Sequence, residues 1–73
     1  MNKREFCHRL ADINAALYDI EKELREVKFK LIMEEDPDRR NWFNNALGRL
    51  LQERNEMREA RAALEAEGYS DSE

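Results

Sequence analysis

Residues 6–31 read FCHRLADINAALYDIEKELREVKFKL, and within them Phe6, Leu10, Ile13, Leu17, Ile20, Leu24, Val27 and Leu31 recur at intervals alternating between four and three. This spacing places all eight on one stripe of an α-helix, with leucine at one core position of a heptad and mainly β-branched residues at the other. The flanks are mostly charged, with Arg9, Glu23 and Lys30 on one side and Glu21, Lys28 and Glu35 on the other. A stripe so narrow is the seam of a coiled coil and needs another helix to cover it.

Downstream, Phe43, Leu47, Leu50, Arg54, Met57, Arg61 and Leu64 keep the same interval, with arginine at two of the seven positions. Asp36-Pro37-Asp38 separates the two runs. Pro37 lacks a backbone N–H and pushes Asp36 out of the helical region, so the tripeptide ends one helix; Asp36 as N-cap and Pro37 at the first helical position then open the next. Asn2 can cap the first helix, with Glu5 at capping-box spacing, and Gly68 is a natural stop for the second. The expected elements are helix 1 over about 3–35, a turn at about 35–38 and helix 2 over about 37–67, with residues 69–73 a flexible acidic tail. For residues 1–68 the expected fold is all-α, an antiparallel two-helix coiled-coil hairpin that dimerises into a four-helix bundle.

Antiparallel register pairs Leu31 with Phe43, Val27 with Leu47, Leu24 with Leu50, Leu17 with Met57 and Leu10 with Leu64. Ile20 and Ile13 then face Arg54 and Arg61. An unpaired guanidinium in a core is costly, so these arginines are expected to reach water, a carboxylate such as Glu23, or a second molecule. Ala46, Ala60 and Leu51 broaden the apolar face of helix 2, which favours self-association.

Composition narrows the function classes. The chain has 73 residues, 41% of them charged, with 17 acidic against 13 basic side chains, a net charge of -4, two glycines and one proline. The acidic surplus disfavours generic binding to nucleic acid, and so little glycine and proline suits long helices. No apolar run reaches the roughly 18 residues of a membrane span, and the start Met1-Asn2-Lys3-Arg4-Glu5 leads into no signal-peptide core. Cys7 is the single cysteine, which fits a cytoplasmic, reducing compartment; the small size suggests a phage or mobile-element accessory protein in a host cytoplasm.

No catalytic, cofactor or metal site is expected. Cys7 and His8 are adjacent and therefore point about 100° apart on a helix, without the further ligands zinc needs, and Cys7 reads as a small filler beside Phe6. There is no glycine-rich phosphate loop. Off the seam, Phe29, Ile32 and Met33 share a surface of helix 1 and Trp42 lies near the same end, so these four are the expected protein-binding residues, with filling of a dimer core as the competing reading. The leading expectation is a non-enzymatic interaction protein that self-associates and inhibits or tethers a larger protein, in a sharper form presenting Asp12, Asp19, Glu23 and Glu26 to a partner's nucleic-acid site. One alternative is an RNA-binding hairpin dimer using Arg54, Arg58 and Arg61, although Glu53, Glu56 and Glu59 interrupt that stripe. Another is an obligate coiled-coil subunit of a larger complex. Glu5 with Arg9, Glu21 with Arg25 and Glu26 with Lys30 are spaced to pair along helix 1, and Glu35 with Arg39 or Glu34 with Arg40 across the turn.

Overall fold

The computed structural model describes residues 1–70. It consists of two helices, α1 (Lys3–Met33) and α2 (Pro37–Glu67), packed side by side in antiparallel sense. The hairpin is a rod whose Cα atoms extend over 59 × 15 × 11 Å. Every seam position named above is at least partly shielded, and Leu17, Leu24, Leu50 and Leu64 are buried. The seam therefore faces inward along its whole length.

The helix ends follow local chemistry. Asn2 is the N-cap of α1, its Oδ1 accepting from the Glu5 N–H at 2.8 Å. The Glu5 carboxylate does not complete a capping box toward Asn2; it pairs with Arg9 at 3.0 Å, one turn further on. Asp36 caps α2 in the same way, accepting from the Asp38 N–H at 2.9 Å, with Pro37 in the first turn. Each cap satisfies an N–H that the helix itself leaves without a partner.

α1 stops at Met33, two residues before the expected end at Glu35. The reason is Glu34, which is already extended (φ -85, ψ 128) and organises the turn. Its Oε1 accepts from the Asp36 N–H at 3.2 Å, its carbonyl accepts from Arg40 Nη1 at 3.2 Å, and its Oε2 lies 3.9 Å from Arg39 Nη1. The ionic contact across the turn is thus Glu34 with Arg39, whereas Arg40 reaches the backbone of Glu34.

At the open end the chain turns back. Gly68 has φ 69 and ψ -159, and its N–H closes α2 on the Leu64 carbonyl at 3.0 Å. The positive φ was expected; the ψ lies outside the left-handed helical basin and directs the next residues across the start of α1. The Tyr69 ring packs on Phe6 with centroids 5.0 Å apart, and the Ser70 N–H donates to the Met1 carbonyl at 3.0 Å. Of the expected tail, Tyr69 is therefore engaged with α1 and Ser70 with Met1 just before it, and residues 71–73 lie outside the described residues.

Candidate interaction surface

Heptad geometry gives the hairpin two long flanks, one on each side of the seam, and the observed contacts identify both. On one flank Arg9, Asp12 and Ile13 of α1 line a shallow groove with Ala60, Ala63, Leu64 and Glu67 of α2. On the other, Glu21, Leu24, Arg25 and Lys28 of α1 border a second groove with Arg54 of α2.

The four candidate binding residues are all exposed: Phe29 by 65%, Ile32 by 76%, Met33 by 66% and Trp42 by 65%. They gather at the turn end but do not form one flat patch. Phe29 lies on the back of α1 opposite the seam, Ile32 falls toward the second flank, and Met33 and Trp42 fall toward the first, as their heptad positions require. The Trp42 indole meets Phe43 edge-on at 5.2 Å and overhangs a depression with Asn45, Ala46 and Arg49. The turn end is thus a collar of large apolar groups around the rod.

The arginines resolve differently from one another. Arg61 leaves the seam toward the second flank and donates to Asn14 Oδ1 at 3.3 Å, so an amide takes the place of the expected carboxylate. Arg58 reaches across to Glu21 at 3.7 Å, which draws Glu21 toward α2. Arg54 is only partly exposed, and its Nε is enclosed with no hydrogen-bond partner. Glu23, named as a possible partner, belongs to the opposite flank. Of the three members of the alternative RNA-binding stripe, Arg54 lies in the seam, Arg61 is hydrogen-bonded to α1, and Arg58 stands near Glu21 with about half of its side chain exposed.

Cys7 is exposed and does not fill space beside Phe6; Tyr69 from the returning chain occupies that place. Together with Arg4, His8 and Ala11, Cys7 borders an open depression. Among the described residues no three His, Cys, Asp or Glu side chains come together as a metal site, and no helix is long and apolar enough to cross a membrane.

Sequence reading missed two surface features. Tyr18 is 66% exposed midway along α1, and only its position outside the seam could have signalled this. The groove floored by Ile13, Ala60, Ala63 and Leu64 is the other; its signal was the pair of alanines, too small to cover the seam from the side. No family model, curated protein or solved structure matches the chain.

Proposed function

We propose that this chain is a non-enzymatic helical interaction protein, which self-associates and docks on a larger protein through the apolar collar at its turn, acting as an inhibitor or tether. One observation carries the reading: among the described residues the hairpin buries four leucines, while Tyr18, Phe29, Ile32, Met33, Trp42 and Tyr69 remain exposed. A two-helix chain of this length has little core to spare, and large apolar groups clustered at one end of a rod gain more from a partner than from water. Trp42 and Phe29 are the anchors, since aromatic side chains dominate the energetics of protein interfaces.

The working compartment in this reading is a reducing cytoplasm, consistent with a single, exposed thiol at Cys7. RNA binding ranks below protein binding because the chain carries a net charge of -4 and Glu53, Glu56 and Glu59 interrupt the arginine stripe.

Affinity capture with the wild-type chain and a Phe29→Ser/Trp42→Ser double variant tests the docking surface. The double variant is expected to stay helical and to lose the proteins that the wild type retains; identical captured sets would overturn the docking claim. Sedimentation over a dilution series tests self-association, and a monomer at every concentration would remove that half of the reading.

A further inference from the structure

The two long flanks carry opposite charge, and this decides how copies can meet. On the first flank, Asp19, Glu23 and Glu26 follow Asp12 and Arg9 by whole heptads along α1, and Glu53 and Glu56 stand one heptad before Ala60 and Ala63 on α2. The middle of that flank thus holds five carboxylates against Arg49, which the Leu24–Leu50 register sets at the height of Glu26, and Lys30 follows one turn beyond. At the same height on the second flank are Arg25, Lys28, Arg54 and Arg58, with Glu21 the one acid among them. Sequence order hides this separation, because the charges alternate along each helix and sort by sign only when the two helices share a register.

We infer that the flanks are the two halves of one self-association interface: the acidic flank of one copy seats on the basic flank of the next. The occupant of either flank is a second copy of this chain. Pairing a flank with itself across a two-fold axis, the arrangement of a simple four-helix bundle, sets carboxylate against carboxylate or cation against cation at mid-length, where opposite-flank pairing sets them in complement. A face about 59 Å long and 15 Å wide also matches the roughly 800 Å² per partner that a stable interface requires. Because each copy uses both flanks and the contact is head-to-tail, association does not stop at two and leads to a ring or a longer stack. At the turn, Phe29 stays on the outer edge of such a stack, while Ile32, Met33 and Trp42, which fall toward the flanks, border the contact.

This inference rests on the self-association proposed above, and the test separates the two. Arg25→Glu/Lys28→Glu makes both flanks acidic, and Asp19→Lys/Glu23→Lys/Glu26→Lys makes both basic; all five positions are exposed and outside the seam. Sedimentation of each variant alone is expected to give a monomer, and the equimolar mixture is expected to associate. The wild type is expected to grow beyond a dimer with concentration, and its association constant to fall by about tenfold or more as salt is raised to about 1 M, where screening acts within about 3 Å. That salt response needs no variant, so it stands even where circular dichroism shows a variant to be unfolded. A variant that dimerises alone, or wild-type association indifferent to salt, would overturn opposite-flank stacking while leaving self-association in place. A wild type that stays monomeric would overturn both.

Discussion

Two residues interrupt an otherwise apolar seam, and they do so on different terms. Arg61 reaches Asn14 and is held at the edge, whereas Arg54 keeps its Nε enclosed without a partner. An unsatisfied buried donor carries the desolvation cost of that group, so removing it while keeping the aliphatic stem should help the fold. Arg54→Met is therefore expected to raise stability by about 1 kcal/mol in urea denaturation; a lowered midpoint would mean that the outer guanidinium atoms contribute more than the enclosed nitrogen costs. The two glycines make an opposed pair. Gly48 lies within α2 with open space around its missing Cβ, so Gly48→Ala should stabilise by about 0.5–1 kcal/mol through helix propensity. Gly68 also has open space but a φ of +69, so Gly68→Ala should destabilise by about 1 kcal/mol or more, and the same denaturation series reads both signs.

At the scale of the element, both helices start on a side-chain cap and α1 ends where Glu34 becomes extended. Asp36→Ala removes the acceptor for the Asp38 N–H and should cost about 1 kcal/mol. Faster amide exchange confined to the first turn of α2 would identify the lost cap as the cause, and unchanged exchange at Asp38 would show that Pro37 alone sets that helix start. The caps were legible in sequence because each depends on residues within three positions of one another. The end of α1 was less so: Pro37 accounts for an end before Asp36, but Glu34 leaves the helix early because its carboxylate and carbonyl bond to Asp36, Arg39 and Arg40, groups placed there only once the turn exists.

For the whole molecule, stability comes from a single long contact between two helices, and Leu17 is at its centre, 7% exposed. Leu17→Asp places an unpaired charge in that contact and is expected to abolish far-UV helicity at every concentration of a dilution series. Helicity surviving the substitution would mean that the seam does not hold the helices together.

What the sequence determined alone was the number of helices, where they start and which stripe of each turns inward, because heptad spacing and caps are local properties that need no partner to be read. It also singled out Phe29, Ile32, Met33 and Trp42 as off the seam, and all four are exposed. What only the tertiary structure decided was everything that depends on the lateral relation of the helices: that Arg61 meets Asn14, that Glu21 turns to Arg58, and that Tyr69 covers Phe6. Each such contact joins residues far apart in the chain, and the seam, being apolar along most of its length, fixes which helix faces meet while leaving side-chain choices at its edges to the packed register.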